Sequence, residues 1–370
     1  MKLEGVELRR VRMPLVGRFE TSFGAELDRD ILLVRIVSDT GEGWGECVAM
    51  NDPLYSAEYV DGAQQVLERH LLPRVFALPD ATAEAANAAM AQVKGHPMAK
   101  GAVEMAVLDA ELRAAGVSLA EHLGAVRDRV PCGVSVGIQP DPDTLLREVA
   151  RYVEQGYVRV KLKIAPGWDV EPVLAVRDHF GAELLLQVDA NCGYRPEDVP
   201  RLLELDDADL LLIEQPFPED DLDTHVELAR RSRTPVCLDE SITSASVARH
   251  AIAVGACSVV NIKSGRVGGL LESRRIHDLC AEAGVPVWCG GMLETGIGRA
   301  ANVALAALPN CTLPGDTSAS SRYWDPDLIT EPFELQDGML PVPTGGGLGV
   351  EVDAERLAEV TASVTWCPAG

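Results

Sequence analysis

The most constraining feature of this chain is a ladder of short apolar segments, each ended by a polar residue, that recurs at intervals of 24 to 28 residues. The polar residues stand at positions 135, 163, 189, 214, 239 and 263, so the successive steps are 28, 26, 25, 25 and 24 residues. One strand followed by one helix occupies a step of this length. Continuous apolar strands that alternate with helices predict a parallel sheet covered on both faces.

The length of the ladder predicts a closed barrel. It begins near Pro131 and reaches about position 315, where the weaker segment Cys311-Thr312-Leu313 supplies an eighth strand. We therefore predict an α/β fold with a TIM-like (β/α)7β barrel over residues 126–325. Active sites of such barrels lie at the carboxyl ends of the strands, which is where the polar residues of the ladder stand.

The residues on either side of the ladder follow another pattern. Strand-like segments at 3–14 and 31–38 precede an alanine-rich helical stretch from about 56 to 124, so residues 1–125 predict an α+β capping domain. The tail, residues 326–370, contains two strand-like pieces at 333–335 and 348–350 and a glycine run at 345–347. We expect this tail to return to the capping domain.

Composition restricts the function. The 370 residues are 47% hydrophobic, which is enough for a large core, and they carry a net charge of −24. This charge excludes non-specific binding to nucleic acids or anionic membranes, and no apolar run reaches the roughly 18 residues of a membrane span. The charged amino-terminal segment predicts no signal peptide. Nine irregularly spaced cysteines without a Cys-x-x-Cys pair predict free thiols and a cytoplasmic location.

Three carboxylates in the ladder predict a metal site. Asp189, Glu214 and Asp239 each follow an apolar run at the end of consecutive predicted strands. Acidic groups side by side raise one another's pKa, and a bound divalent cation removes that conflict. Oxygen ligands of this kind suit Mg²⁺, with Mn²⁺ or Co²⁺ as substitutes. The alternative is that such acids only cap the following helices.

Two lysines form a second group in the same ring. Lys163 ends the second predicted strand and Lys263 the sixth, so they face each other across a barrel of eight strands. Lysine acts as a base when burial or a nearby cation lowers its pKa. Lys161 shares the inward face with Lys163 and would hold a substrate carboxylate or tune that lysine. Salt bridges to the acids are the alternative. A lysine and a Lewis-acidic metal together remove a proton alpha to a carboxylate.

The motifs around these positions resemble a known family. Lys161-Leu162-Lys163, Asp189-Ala190-Asn191, Glu214-Gln215-Pro216, Asp239-Glu240-Ser241 and Asn261-Ile262-Lys263 are similar to those of the muconate-cycloisomerase branch of the enolase superfamily. Two further stretches, 290–299 and 314–320, resemble the o-succinylbenzoate synthases that also act as N-acylamino acid (N-succinylamino acid) racemases. The resemblance covers nearly the whole chain.

The resemblance implies roles and reactions. Lys163 would take the alpha proton, and Lys263 would stabilise the resulting anion or act on the opposite face. The metal ligands would be Asp189, Glu214 and Asp239, with Lys161, Asn191 and Glu240 around them. One implied reaction is dehydration of 2-succinyl-6-hydroxy-2,4-cyclohexadiene-1-carboxylate in menaquinone biosynthesis, and the other is racemisation of an N-succinylamino acid. A homo-oligomer, with an octamer as one such assembly, is also implied.

Substrate contacts are predicted from both domains. The candidates are Phe19, Met50, Ser135, Gly290, Gly291, Met292 and Tyr323, with the loop at 18–24, which includes Phe23, as a cap over the site. The apolar candidates Phe19, Met50 and Tyr323 are residue types more often found in a core than in contact with substrate, and the two glycines are equally consistent with a strand-end turn. Arg266, one turn beyond Lys263, would lower the pKa of that lysine or be solvated.

Other functions stay open at this point. A muconate-type cycloisomerase is less consistent with the Gly-Gly-Met-Leu-Glu stretch at 290–294. Dipeptide epimerases carry an Asp-x-Asp near the eighth strand, whereas this chain has Asp316-Thr317-Ser318. A Schiff-base aldolase would also use a barrel lysine, but it would leave the three acids without a role.

Overall fold

The computed structural model describes residues 1–22 and 24–370. Phe23, part of the predicted cap, lies outside the described residues. The strands are β1 (Leu3–Thr21), β2 (Gly24–Ser38), β3 (Gly41–Cys47), β4 (Arg129–Pro131), β5 (Gly133–Val136), β6 (Arg159–Lys163), β7 (Leu185–Asp189), β8 (Ile213–Glu214), β9 (Val236–Leu238), β10 (Val259–Ile262), β11 (Val287–Cys289), β12 (Met339–Pro341) and β13 (Thr361–Pro368).

The helices alternate with the strands in the middle of the chain and cluster before it. They are α1 (Val60–Val66), α2 (Leu72–Phe76), α3 (Ala83–Met90), α4 (Pro97–Ala115), α5 (Leu119–Leu123), α6 (Pro142–Glu154), α7 (Val170–Phe180), α8 (Val199–Leu202), α9 (Leu222–Arg231), α10 (Ala245–Val254), α11 (Ser264–Val267), α12 (Leu270–Glu282), α13 (Gly296–Ala306) and α14 (Ala354–Val360). Within the described residues, no helix combines the length and apolar character needed to cross a membrane.

The predicted barrel is confirmed. Strands β5 to β11 form one parallel sheet in sequence order, each hydrogen-bonded to the next. The segment after α13 joins its two edges, since Thr312 N donates to Val287 O at 3.2 Å and Gly133 N donates to Gly315 O at 2.7 Å. This eighth position forms isolated bridges instead of a regular strand. Pro314 has no N–H to donate, which interrupts the backbone hydrogen bonding between strands at this position.

The helices on the outside of the barrel follow from local sequence. In α6, the side chain of Asp141 accepts from Thr144 N and so caps the first turn. The buried residues of this helix are Leu145, Val149 and Tyr152, spaced four and three residues apart. That spacing places them on one face, which packs against the barrel, while charged residues cover the other face.

The capping domain is an antiparallel sheet with a buried helix on one face. Its strand order is β13-β1-β2-β3, so the tail does return to the amino-terminal domain as predicted. The strand that returns is Thr361–Pro368, and the strand-like pieces at 333–335 and 348–350 are not strands. Leu348 N instead donates to Asp109 Oδ1 at 2.7 Å, beside the glycine run. The boundaries 1–125, 126–325 and 326–370 stay a prediction.

Two buried glutamates of the capping domain cap helices of the barrel. Glu46, in β3, accepts from Thr295 N at 3.0 Å and from Gly298 N at 3.0 Å, at the start of α13. Glu104, in α4, accepts from Leu271 N at 3.0 Å at the start of α12. A carboxylate at a helix amino terminus satisfies free N–H groups and the helix dipole. These helices begin beside the carboxyl ends of the strands, so the capping domain is fixed over the mouth of the barrel.

Strand β3 packs against the backbone of α4 because it has glycine where the two meet. A Cβ atom on Gly45 would overlap Ala102 O and would lie 3.0 Å from Ala106 N. Because both obstacles are backbone atoms, no side-chain rotation could make room. The close contact of sheet and helix therefore depends on this glycine.

Gly45→Ala should lower the free energy of unfolding by about 1–3 kcal/mol through overpacking. Urea denaturation followed by tryptophan fluorescence measures it. Gly17→Ala is the matched control, because a Cβ there meets nothing within 4 Å, and its effect should stay within about 0.5 kcal/mol. Equal stability of the two variants would contradict the close packing of β3 on α4.

Candidate active site

The predicted acids and lysines meet at the carboxyl end of the barrel. Lys163 pairs in register with Asp189, and Asp189 with Glu214, across β6, β7 and β8. Asp239 and Lys263 directly follow β9 and β10. All three carboxylates are fully buried. Because β6 and β10 are four strands apart in a ring of eight positions, the two lysines approach the mouth from opposite sides.

Each carboxylate is paired with an ammonium group. Lys163 Nζ lies 2.6 Å from Asp189 Oδ2, and Lys263 Nζ lies 2.7 Å from Asp239 Oδ2. Lys161 Nζ lies 3.0 Å from Glu214 Oε2 and 3.1 Å from Asp189 Oδ2. The salt bridges foreseen as the alternative do exist, and they neutralise charges that would otherwise be buried alone.

Side-chain amides join the acids into one network. Asn191 donates to Glu240 Oε1 at 2.9 Å and accepts from Lys163 Nζ at 2.6 Å. Asn261 donates to Glu214 Oε1 at 2.6 Å. Among the described residues, Glu240 Oε2 is buried without a hydrogen-bond partner. Burial and the nearby Asp189 charge raise the pKa of Glu240 to about 7.

The two lysines differ in electrostatic environment. Burial lowers the pKa of Lys163 below its ordinary value of 10.5, and the neighbouring charges of Lys161 and Lys263 act in the same direction. Burial also opposes the charge on Lys263, but Tyr55, Glu240 and the other acids outweigh it and raise the pKa of Lys263. Lys163 is thus the easier of the two to deprotonate.

The expectation that the three acids raise one another's pKa is right for one and wrong for another. Burial and the charge of Asp189 raise the pKa of Glu214. The pKa of Asp189 is lowered, because Lys163 and Lys161 outweigh the effect of burial. Asp189 is therefore held ionised and available as a ligand.

The residue types at this site suit a divalent cation, but their side chains are not oriented around one ion position. Three buried carboxylates at adjacent strand ends, with the unpartnered Glu240 oxygen beside them, offer the hard oxygen ligands that Mg²⁺ prefers. Within residues 1–22 and 24–370, however, no three acidic, histidine or cysteine side chains converge on one ion position. The carboxylate oxygens instead form ion pairs with the ammonium groups of Lys161, Lys163 and Lys263. A cation would have to displace lysine contacts.

A pocket of about 560 Å³, a volume that includes the open space at its mouth, lies above this network. Both catalytic candidates, Lys163 and Lys263, reach it, together with Lys161 and Asn191. The predicted substrate contacts among its lining residues are Phe19, Met50, Ser135, Gly291, Met292 and Tyr323. The capping domain and the barrel therefore form one pocket around the two lysines.

Gly290, a predicted substrate contact, is not part of this lining and instead packs against Asn261 and Lys263. A Cβ atom on Gly290 would overlap the side-chain amide of Asn261 and would lie 2.8 Å from Lys263 Cε. Glycine at this position lets Asn261 and Lys263 pack against the strand end. Gly291 faces the cavity, and a Cβ there would lie 3.0 Å from Asp316 O.

Several contacts at the site were not predicted. Asp316 Oδ2 lies 2.7 Å from Lys161 Nζ, and Asp316 Oδ1 lies 2.8 Å from Arg159 Nη1. The Tyr55 hydroxyl donates to Asp239 Oδ1 at 3.2 Å. Arg266 is buried and forms an ion pair with Asp239, so the expectation of a solvated side chain is wrong, and the pKa of Lys263 is raised on balance. The sequence did contain a signal for Asp316, because Asp316-Thr317-Ser318 departs from the Asp-x-Asp of dipeptide epimerases. It contained none for Tyr55, which lies outside the repeating strand–helix pattern.

Both parts of the chain match known families. Residues 4–124 match the mandelate racemase/muconate lactonizing enzyme N-terminal domain. Residues 144–356 match the enolase C-terminal domain-like family. An N-succinylamino acid racemase from an Amycolatopsis species is 62% identical over 366 residues, 99% of each protein. An o-succinylbenzoate synthase from Geobacillus kaustophilus is 46% identical over 98% of this chain and 96% of its own length.

Solved structures agree with these matches. A member of the enolase superfamily from Listeria innocua superimposes with a TM-score of 0.96 at 40% identity, covering 100% of both chains. Enzymes of this superfamily combine a lysine or histidine base with a divalent cation. On its family matches, its relatives and its barrel with a capping domain, the chain belongs to the enolase superfamily of divalent-metal-dependent enzymes.

Proposed function

We propose that this enzyme removes the proton alpha to a carboxylate, and that it catalyses both o-succinylbenzoate synthesis and racemisation of N-succinylamino acids. One observation carries the proposal: two buried lysines with opposite pKa shifts line one cavity from opposite sides, with three carboxylates between them. The names of its relatives support the choice of substrates. Both reactions begin with the same proton transfer, so one site can perform both.

The proposed metal ligands are Asp189, Glu214 and Asp239, and the proposed ion is Mg²⁺, with Mn²⁺ or Co²⁺ as substitutes. When bound, such a cation supplies positive charge to the substrate carboxylate and so acidifies the alpha proton. Asn191 and Glu240 hold the surrounding network, and Asn261 orients Glu214.

Lys163 is the proposed base. Its pKa is lowered by burial and by like charges, so its neutral form is accessible. The pKa of Lys161 shifts the other way: burial would lower it, but Asp316, Glu214 and Asp189 outweigh burial and raise it. Lys161 therefore stays an ammonium, where it repels charge on Lys163 and attracts the substrate carboxylate.

Lys263 is proposed to serve as the cation on the other face. In dehydration, its ammonium stabilises the negative charge that develops on the substrate carboxylate. In racemisation, it returns a proton to the face opposite Lys163, for which a raised pKa is suitable. Asp239, Tyr55 and Arg266 hold this lysine and its carboxylate in place.

The rest of the cavity is proposed to hold the acyl arm and side chain of the substrate. Phe19, Met50 and Tyr323 provide apolar surface, while Ser135 and the Gly291-Met292 backbone offer polar contacts. Association into a homo-oligomer and a cytoplasmic location stay predictions.

Dipeptide epimerisation is disfavoured by the state of Asp316. Arg159 and Lys161 both bind its carboxylate, so it is not free to hold the ammonium of a dipeptide. A Schiff-base aldolase could use the lowered pKa of Lys163, but it would give no role to three buried acids. Borohydride trapping of a substrate adduct on either lysine would favour that class.

Chelation should abolish both reactions, and Mg²⁺ should restore them. A second measurement does not depend on turnover: Mg²⁺ should raise the melting temperature of the wild type, because a ligand that binds only the folded state stabilises it. Glu214→Gln should weaken that rise, while Glu204→Gln, on the outside of the barrel, should not. Full activity in EDTA, or no difference between the variants, would argue against the metal site.

Lys163→Arg should abolish dehydration and racemisation, although it keeps a cation beside Asp189, because arginine does not lose its proton in proteins. If Lys163 were only an ion-pair partner, the arginine variant would keep most of its activity. In the wild type, the rate should rise with pH through the pKa of Lys163, below the ordinary 10.5. Rates on both substrates across pH test these points.

The alpha proton of N-succinylphenylalanine should exchange with solvent deuterium in the wild type, as measured by NMR. Rates on the cyclohexadiene carboxylate and on a panel of N-succinylamino acids, side by side, then show how the two activities compare. No exchange at the alpha carbon would count against racemisation while leaving dehydration open to its own assay.

A further inference from the structure

We propose that Arg322 is a positioning residue that sets substrate specificity by holding the Phe19–Tyr323 wall of the active-site cavity. This inference rests on the proposed function, because it concerns which substrates fit the same pocket. Arg322 ends the short 3₁₀ turn Ser320–Arg322, where Ser320 Oγ donates to Asp327. It is not among the residues that line the cavity.

The guanidinium of Arg322 contacts three aromatic rings. Its central carbon lies 4.7 Å from the centroid of Tyr323, 5.7 Å from that of Phe19 and 4.9 Å from that of Tyr152. Phe19 and Tyr323 themselves meet edge to face, with centroids 6.1 Å apart and an interplanar angle of 89°. A cation over aromatic faces is attracted by their quadrupoles, so Arg322 fixes the relative position of two rings from different domains.

Arg322 also attaches this wall to the barrel. Its Nη2 donates to Ser135 O at 2.9 Å, on β5, and Ser135 lines the cavity beside the two rings. Its Nε is buried without a hydrogen-bond partner among the described residues. Three of the contacts that hold this cation, the Ser135 carbonyl and the rings of Phe19 and Tyr323, are thus with residues that line the cavity, and the fourth is with the ring of Tyr152.

The wall has the cavity on one side and contacts Arg322 on the other. Arg322 also lines a surface cleft, together with Arg151 and Tyr152. Without Arg322, the rings of Phe19 and Tyr323 could move towards the cleft. The cavity would then widen on this side without any change at Lys163 or Lys263.

Two variants of Arg322 and one control separate positioning from general stability. Arg322→Met keeps the aliphatic bulk but loses the charge, and Arg322→Lys keeps the charge. Arg151→Met is the matched control, because Arg151 lines the same cleft and lies 4.1 Å from the Tyr152 centroid, a ring that Arg322 also contacts. Substrates with small and bulky side chains, such as N-succinylalanine and N-succinylphenylalanine, measure the width of the cavity.

Arg322→Met should raise KM for N-succinylalanine about tenfold and change kcat less than about twofold. The ratio of kcat/KM for N-succinylphenylalanine to that for N-succinylalanine should rise. Arg322→Lys should recover part of the wild-type ratio, and Arg151→Met should match the wild type.

A wild-type ratio in Arg322→Met would overturn the inference. So would a parallel loss of kcat and melting temperature that Arg322→Lys does not rescue, since that is a purely structural role. A wild type that exchanges no alpha deuterium would instead count against the proposed function. Exchange in the wild type, with an unchanged ratio in Arg322→Met, would count against this inference alone.

Discussion

The mouth of this barrel depends on the burial of opposite charges at adjacent strand ends. Asp189, Glu214 and Asp239 are removed from water, and each is held by an ammonium group 2.6 to 3.1 Å away. A buried charge without a partner would cost several kcal/mol. The acids and lysines therefore require one another, and the parallel sheet supplies the register that brings them together.

The same charges shift the pKa values of Lys163 and Lys263 in opposite directions, although the two side chains are chemically identical. Burial, together with the charges of Lys161 and Lys263, outweighs Asp189 and lowers the pKa of Lys163, whereas Tyr55, Glu240 and other acids outweigh burial and raise the pKa of Lys263. One lysine is suited to accept a proton and the other to carry charge. This difference comes from neighbours contributed by separate strands and by the capping domain, not from the lysines themselves.

The capping domain contributes to the site only because it is firmly attached to the barrel. Glu46 and Glu104 cap α13 and α12, and burial raises the pKa of each to about 7. The contact between the two domains therefore contains carboxylates that are costly to bury, and their hydrogen bonds to the helix amino termini offset that cost. Phe19 and Met50 reach the cavity from this domain, and Arg322 joins one of them to the barrel wall.

The sequence by itself determined the barrel and the ring of acids and lysines, because each strand–helix unit repeats locally at a nearly constant length. It also indicated that the tail returns to the capping domain. It misplaced the strand of the tail, where a glycine run weakens the local pattern. It also left the eighth barrel position ambiguous, because Pro314 interrupts the strand pattern there. Only the tertiary structure decided that Asp316 binds Lys161, that Tyr55 reaches Asp239 and that Arg322 stacks on Phe19. These partners are far apart in the chain. Lys161 and Asp316 meet through closure of the barrel, and the other two pairs meet where the capping domain packs on the barrel, neither of which a local periodicity encodes.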